Sequence, residues 1–255
     1  MTESEEALAA ALAGIGRLRG ARLQVDTDLT WLRSGRPAAS LNHVHSITLR
    51  GDSAAIDERV DAVQTAVSDG GALPVTWWIG PSTSPRDLAE RLRARGMTED
   101  EPEYGMALDV DGLPLPSGDV QEVTEAELDE WLDVMGRSYR WSNPRAIQAW
   151  SELYREALLD EAHPWRHVLV GDRGAPVACA SLATTGATGF VTNVGTVPEA
   201  RGGGHGTTAT LAVLAIARRL GYGRATLTAS VMGRGVYARI GFREDAYFQR
   251  FVSAG

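Results

Sequence analysis

The most informative segment of the sequence is GFVTNVGTVPEARGGGHGTTATLAVLAIA, Gly189–Ala217. A strand is predicted to end near Val197, Pro198 turns the chain, and a glycine-rich loop over 201–206 enters a strongly apolar helix. Glycines let a backbone approach a ligand closely and adopt positive φ angles. The free N–H groups of a first helical turn then point at the ligand, with the positive end of the helix dipole behind them. With Arg201 as an added charge, the stretch predicts an anion site suited to a pyrophosphate.

Two alternatives to this interpretation concern the same loop. Gly204, Gly206 and Ala209 also match the loose dinucleotide fingerprint G-x-G-x-x-A, which requires an acidic residue about 20 positions further on. The next predicted strand, 226–231, carries no acid, and the first one after it is Glu244, so a dinucleotide is disfavoured. The second alternative is a flexible glycine loop without a ligand, and the residues alone leave it open.

The rest of the chain alternates between helix and strand patterns. In the first half the patterns predict helices over 3–20, 55–67 and 85–96 and strands over 44–49, 73–79 and 104–110. In the second half they predict helices over 125–139, 143–159, 206–220 and 233–240 and strands over 120–123, 167–170, 177–183, 189–197, 226–231 and 247–252. Such mixing predicts a mixed sheet of the α+β or α/β class with helices on its faces.

The best predicted linker is DGLPLPSG, residues 111–118, which holds two prolines, two glycines and no periodicity. It divides the chain into a first domain over 1–112, a linker over 113–118 and a second domain over 119–255.

A repeat appears when the two halves are overlaid. RLRARGMTEDEPEYGMALDV stands near the end of the first half, and GVYARIGFREDAYFQRFV closes the second. Both read as a helix, a glycine followed by a large apolar residue (Gly96-Met97 and Gly241-Phe242), an acidic turn and a strand. The two glycines are 145 positions apart, about the length of one small domain. The pattern favours an internal duplication over two unrelated helix–glycine–strand corners.

Composition excludes several kinds of site. The 255 residues hold 25 basic side chains, all arginine, against 33 acidic ones, for a net charge of −8. Without lysine, a phosphate loop of the G-x-x-x-x-G-K type and a lysine Schiff base are impossible. Cys179 is the only cysteine, which excludes an internal disulfide and a cysteine-rich zinc site. No metal is expected.

The same composition sets expectations about partners and location. The sequence has no run of basic residues, so a nucleic-acid partner is not expected. The longest apolar stretch, 209–217, is far shorter than the ~20 residues of a spanning helix, so no membrane partner is expected. Residues 1–10 are acidic and do not resemble a secretory signal. We expect a soluble, cytoplasmic protein that is a monomer or a homodimer.

The loop VPEARGGGHG, 197–206, is similar to the acyl-coenzyme A pyrophosphate loop of the GNAT (general N-acetyltransferase) superfamily, R/Q-x-x-G-x-G/A after a strand. Arg201, Gly204 and Gly206 fill its fixed places. Downstream, LTAS (227–230) and VYARIGF (236–242) resemble the family's fifth strand and its Y-x-x-x-G-F helix.

The resemblance covers about residues 118–255. The first half resembles the family only through its Gly-Met corner and strand order, and it has no glycine loop. The implied architecture is therefore a pair of tandem GNAT-like domains, of which the N-terminal one is degenerate and has lost its coenzyme site.

Membership would imply an N-acetyltransferase that moves an acetyl group from acetyl-coenzyme A to a primary amine of a small molecule or a peptide. The family's sheet opens between its fourth and fifth strands, and the coenzyme lies in that opening. The resemblance assigns coenzyme binding to the fourth strand, the glycine loop, the first turn of the helix and two downstream side chains: Gly195, Thr196, Val197, Arg201, Gly202, Gly203, Gly204, His205, Gly206, Thr207, Thr208, Ser230 and Tyr237.

The resemblance also assigns catalytic roles. Tyr237 occupies the place of the family's general acid, which protonates the leaving thiolate. The fourth strand lacks the glutamate that often serves as base, and Asn193 there can only orient a water. Ser230 stands where the family often has an asparagine, and it could hold the coenzyme or bond to the next helix. Glu161, His163 and His167 are weaker candidates for the general base.

The acceptor pocket of the superfamily is built by its first two helices and their loop, which here hold Trp131, Tyr139, Trp141 and Trp150. Tyr139, Trp141 and Asn193 are the predicted substrate-binding residues, and an acidic protein mildly favours a cationic acceptor. Ordinary helix packing is the alternative for Trp131 and Trp150. For the whole protein, the alternatives are a coenzyme-binding sensor without acceptor chemistry and transfer of a longer acyl group.

Overall fold

The strands of the protein form a single mixed sheet. The computed structural model describes residues 1–140, 143–158 and 165–254, and within these ranges the sheet has 11 strands. The strands are β1 Arg22–Val25, β2 Thr30–Arg33, β3 Asn42–His45, β4 Thr76–Ile79, β5 Thr98–Asp109, β6 Asp119–Glu122, β7 Trp165–Asp172, β8 Ala175–Ala183, β9 Gly189–Thr196, β10 Arg224–Ala229 and β11 Arg243–Val252.

Helices cover both faces of this sheet, which confirms the predicted mixed α/β class. They are α1 Glu3–Ile15, α2 Ser53–Val67, α3 Leu88–Ala94, α4 Leu128–Tyr139, α5 Pro144–Leu158, α6 His205–Arg219 and α7 Arg234–Ile240. In the part of the chain that the structure describes, no helix has the length and apolar character needed to cross a membrane.

The two halves exchange their last strands. The strand order is β1-β2-β3-β4-β11-β5-β10-β9-β8-β7-β6. The last strand of the second half, β11, is therefore antiparallel to β4, and the last strand of the first half, β5, is antiparallel to β10. At the centre β5 and β11 pair with each other, with Glu103 opposite Phe248. These two residues are also 145 positions apart, so a pseudo-twofold axis relates the halves at this point.

Individual elements repeat along the same axis. Helices α2 and α6 have 15 residues each, and α3 and α7 have seven each. Gly96 (φ +75°) and Gly241 (φ +119°) both turn a short helix into an exchanged strand. Ser46 after β3 and Asn193 within β9 share a left-handed conformation, at φ +54° and +53°. These correspondences support the predicted duplication, whereas the domain boundary at 113–118 stays a prediction.

The side chains of successive strand residues divide the core into layers. Cys179 of β8 packs in a cluster with Trp131 of α4 and Leu153 of α5, on the same face as α1. Its neighbours Ala178 and Ala180 pack in a cluster with residues of α6 and α7 on the opposite face. The second half is thus a sheet between the α4–α5 layer and the α6–α7 layer.

Two buried histidines of the first half are held in the neutral form. Because an indole N–H can only donate, His43 Nδ1 accepts from Trp78 Nε1 at 3.1 Å, while His43 Nε2 donates to the Ser40 carbonyl at 2.8 Å. A second ring proton would displace the Trp78 bond. Burial lowers the pKa of His43 to about 3 and that of His45 to about 4.

We therefore expect the free energy of unfolding to fall in mild acid. Both pKa values lie below those of the unfolded chain, so the stabilisation is complete above about pH 6.5 and is lost as the pH falls toward 4 and then 3. The expected loss is about 1.4 kcal/mol per pH unit for each histidine. Urea unfolding of the wild type and His43→Gln at neutral and mildly acidic pH tests this. The free energy of unfolding should fall less in the variant, because one of the two histidines is gone. An equal fall in the free energy of unfolding of the two proteins would contradict the neutral form assigned to His43.

Candidate active site

The sheet opens between β9 and β10. These parallel strands pair only where Gly189, Phe190 and Val191 face 225–227. Beyond that point β9 continues to Thr196 without β10 as a partner, while β10 stays paired with β5. The carboxyl ends of β9 and β10 therefore border a cleft, at the position that the resemblance implies.

The wall of this cleft carries an irregularity at Asn193. The β8–β9 register shifts near this residue, and its φ of +53° is one that asparagine tolerates. Its Nδ2 donates to Tyr154 Oη at 2.5 Å and to Ser181 Oγ at 3.1 Å. Ser181 Oγ lies 2.7 Å from His167 Nδ1. The Asn193 side chain is thus fixed by a buried polar network, and His167 is placed behind it, at the far end of that network.

The glycine loop presents unpaired backbone donors beside the cleft. Gly202 and Gly204 have φ angles of +83° and +84°, which other residues adopt at a cost. The first backbone bond of α6 runs from the Thr208 N–H to the Gly204 carbonyl at 3.0 Å. The N–H groups of 202–207 have no acceptor among the residues that the structure describes. They lie at the positive end of a 15-residue helix, and this arrangement suits the predicted binding of an anion.

Arg201 connects the loop to its surroundings. Its Nε donates to the Thr196 carbonyl at 3.2 Å and its Nη2 to the Ser138 carbonyl at 2.9 Å. The guanidinium therefore fastens the loop to the ends of β9 and α4, a role that the sequence did not indicate. Its Nη1 has no acceptor within the described ranges, so the predicted contact with a pyrophosphate is open to this end of the group.

The Tyr237 side chain lies at the cleft from the α7 side. The residue is 9% exposed, and its ring meets Phe242 edge-on at 5.9 Å. Its hydroxyl has no hydrogen-bond partner in the described part of the chain. Burial, and to a smaller extent the charge of Glu103, raises the pKa of Tyr237 above its ordinary value. The phenol is therefore protonated at neutral pH and is available as a donor.

Other predicted site residues have structural partners. Ser230 Oγ accepts from the Gly233 N–H at 3.1 Å, so it bonds to the turn that starts α7. The buried Val197 donates its N–H to the Val177 carbonyl at 2.9 Å and accepts from the Ala200 N–H at 3.0 Å, so both of its backbone groups have partners within the chain. A Cβ on Gly195 would lie 2.6 Å from Ser138 Cβ, so glycine there permits the close packing of α4.

The remaining coenzyme candidates surround the loop. A Cβ on Gly206 would lie 3.2 Å from Thr196 Oγ1, so α6 starts against the end of β9. His205 Nε2 is 3.9 Å from an Asp172 carboxylate oxygen. The half-buried side chains of Thr207 and Thr208 lie in the first turn, where they were predicted, and Gly203 lies between the two left-handed glycines.

The predicted acceptor residues divide into three groups. Tyr139 is 48% exposed, yet its hydroxyl donates to the Val194 carbonyl at 3.1 Å on the cleft wall. Trp131 is buried in the core, and Trp150 stacks on Tyr154 at 5.3 Å and donates to Ser40 Oγ, so both have packing roles. The predictions for Trp141, Glu161 and His163 concern residues outside the described ranges.

One residue near the site was missed from the sequence. Glu103 belongs to the first half, but β5 carries it to the end of β10, near enough to raise the pKa of Tyr237. No local pattern signals this placement, because it depends on the strand exchange.

In the first half, the position that corresponds to the predicted coenzyme site is occupied by groups of the chain itself. Asp52 caps α2, and its carboxylate accepts from the Ala55 N–H at 2.9 Å, where the second half leaves such donors unpaired. Ser84 pairs with the chain after β3, donating to the Ile47 carbonyl and accepting from Leu49, each at 3.0 Å. The first half therefore has a carboxylate at the N-terminus of α2 and a backbone segment paired beside β3. Both features agree with the predicted loss of its coenzyme site.

The comparisons with known proteins agree with this geometry. The sequence model of the acetyltransferase (GNAT) family matches residues 128–242. No curated protein matches the sequence significantly.

Several solved structures share the fold over nearly the whole chain. A GCN5-related N-acetyltransferase from Kribbella flavida has a TM-score of 0.73 and 21% identity, covering 100% of this chain and 97% of its own. A GCN5-related N-acetyltransferase from Sphaerobacter thermophilus has a TM-score of 0.63 and 14% identity, covering 98% and 90%. A tandem GNAT protein from the clavulanic acid biosynthesis pathway has a TM-score of 0.59 and 14% identity, covering 98% and 92%.

At these identities the solved structures establish the fold of the chain, including its tandem form, and the sequence match adds a likeness to the GNAT family over residues 128–242. The matched range holds the opened sheet, the glycine loop and Tyr237. Residues 128–242 therefore match the acetyltransferase (GNAT) family in sequence.

Proposed function

We propose that this protein transfers an acetyl group from acetyl-coenzyme A to a primary amine of a small molecule. The observation that carries the proposal is the row of N–H groups over 202–207 without an acceptor among the described residues, at the positive end of α6 and beside the β9–β10 cleft. Such a row suits a diphosphate, because several donors and a helix dipole converge on one anion. Beyond Val191 the β9 backbone does not pair with β10, so that edge is available for pairing with an extended chain.

The residues at the cleft fit the chemistry of acyl transfer. Bound acetyl-coenzyme A supplies a thioester, and the reaction forms a bond from the amine nitrogen to the carbonyl carbon while the carbon–sulfur bond breaks. Tyr237 can donate its phenolic proton to the leaving sulfur, since its hydroxyl has no partner within the protein as described. Asn193 and the strand bulge around it shape the wall against which the acyl group would lie.

The proton of the amine needs another acceptor. No carboxylate stands on β9, whose sequence is GFVTNVGT. Only about one part in a thousand of an alkyl amine with pKa ~10.4 is neutral at pH 7, so water or another side chain must take up that proton. This gap is the one feature that favours a coenzyme-binding sensor without acceptor chemistry.

Calorimetry and an amine panel decide between these functions. We expect acetyl-coenzyme A to bind the full-length protein at micromolar concentrations, and at least one small primary amine to trigger release of free thiol. Binding without thiol release across a broad panel would support the sensor instead. Absence of any coenzyme binding would contradict both, and the mass of a co-purified acyl-coenzyme would reveal a longer acyl group.

A further inference from the structure

The acidic side chain that the second half lacks on β9 is available from the first half. Tyr104 of β5 pairs with Ala229, the last residue of β10. Glu103 therefore lies one residue beyond the end of β10, at the level where β9 and β10 have separated. Strand exchange thus places a first-half carboxylate at the mouth of the second-half cleft.

The direction of this side chain follows from the alternation along β5. The Tyr104 ring lies 4.4 Å from the Arg234 guanidinium of α7, so Tyr104 faces the α7 side of the sheet. Glu103 consequently faces the opposite side, on which α1, α4 and α5 pack. Its direct cross-strand partner Phe248 belongs to the core cluster of that same side. This is the side from which Tyr139 reaches the cleft wall.

One oxygen of the Glu103 carboxylate is anchored and the other is available. Oε1 lies 2.7 Å from Arg250 Nη1, and Arg250 is itself held by Asp100 at 2.6 Å and by the Trp78 ring at 5.5 Å. Oε2 has no hydrogen-bond partner in the portion of the chain described. The side chain is 18% exposed, so a solute can reach it. Since Asp100 and Glu103 share one arginine, the group as a whole keeps a net negative charge.

We propose that Glu103 binds the ammonium group of the acceptor, so that the substrates are alkyl amines that arrive protonated and the first half completes the acceptor site. The inference rests on the proposed function and adds to it a substrate class and a residue. The free oxygen Oε2 accepts a charge-assisted hydrogen bond from the ammonium.

The test compares Glu103→Gln with Glu101→Gln in the full chain. Glu101 is an exposed residue of the same strand without a side-chain partner in the described structure, so its change removes the same charge elsewhere. We expect Glu103→Gln to raise KM for an alkyl amine by roughly 10- to 100-fold. KM for an aromatic amine, which is uncharged at pH 7, and the Kd of acetyl-coenzyme A should change less than about twofold. Glu101→Gln should resemble the wild type in every readout.

Equal KM values for the alkyl amine in the two variants would overturn the inference. So would a parallel loss for the alkyl and aromatic amines, because a general distortion of the site would not depend on substrate charge. Wild-type protein that acetylates no amine would instead refute the proposed function itself.

A measurement on the unaltered protein guards against a folding defect in the variant. A trialkylammonium ion of matched size keeps one N–H donor and gives no stable acetylated product, so it should compete with the amine substrate, whereas the isosteric neutral compound should not. Equal inhibition by the charged and neutral compounds would overturn the inference without any substitution.

Discussion

An aspartate in place of Gly204 should strongly weaken coenzyme binding while the protein stays folded. Gly204 is the N-cap of α6, and aspartate tolerates its left-handed conformation better than most residues. The new carboxylate would bond to the free N–H groups and repel a diphosphate at the same place. Two like charges about 4 Å apart at a protein surface repel by about 4 kcal/mol, so Kd should rise by roughly 10²- to 10³-fold.

The first half contains the natural counterpart of this change. Asp52 is the N-cap of α2 and takes up the donor of Ala55. Gly204→Asn is the matched control, because it has the same shape and the same tolerance of positive φ without the charge. It should weaken binding by less than about tenfold. Calorimetry with coenzyme A measures both variants, and similar Kd values for them would show that the loop does not bind an anion.

Tyr237→Phe should lose turnover and keep its affinity for the coenzyme. The hydroxyl has no partner among the residues described, so its removal leaves no buried group unsatisfied and the fold should be as stable as before. Removing a general acid typically costs about 10²- to 10⁴-fold in rate. Burial raises the pKa of Tyr237 above its ordinary value of 10.0. Deprotonation of this phenol should therefore not lower the wild-type rate between pH 7 and pH 10.

The readouts for Tyr237→Phe are kcat from thiol release and Kd from calorimetry. A variant that turns over at the wild-type rate would remove Tyr237 from the acid role. A variant whose coenzyme affinity falls as much as its kcat would assign the hydroxyl to binding instead.

Local motifs of the second half could be located from the sequence because each depends on residues close together in the chain. The loop over 201–206 follows a strand and precedes a helix in the structure, as its glycines and apolar flank indicated. The pattern around Tyr237 and Gly241 likewise ends a short helix at a left-handed glycine. Such signals depend on backbone chemistry within a few residues, so distant contacts do not disturb them.

Features set by distant contacts were missed. The exchange of β5 and β11 pairs residues about 145 positions apart, and both sequences read simply as strands at the end of their halves. Strands β1 and β2 were not predicted, because RLQV and TWLR are only four residues long and β1 has no buried residue. The engagement of Arg201 with Ser138 depends on where α4 packs, which the loop sequence does not encode.

Titration of the 15N-labelled protein with coenzyme A, followed by amide NMR, shows whether the loop backbone binds the diphosphate. If the backbone of the loop binds the diphosphate, the amide signals of Gly202, Gly203, Gly204 and Gly206 shift strongly on saturation, as expected for donors that gain a charged acceptor. The amide of Gly51, at the corresponding turn of the first half, stays unchanged. Saturable binding that shifts Gly51 or other distant amides, and leaves the loop glycines in place, would contradict the account.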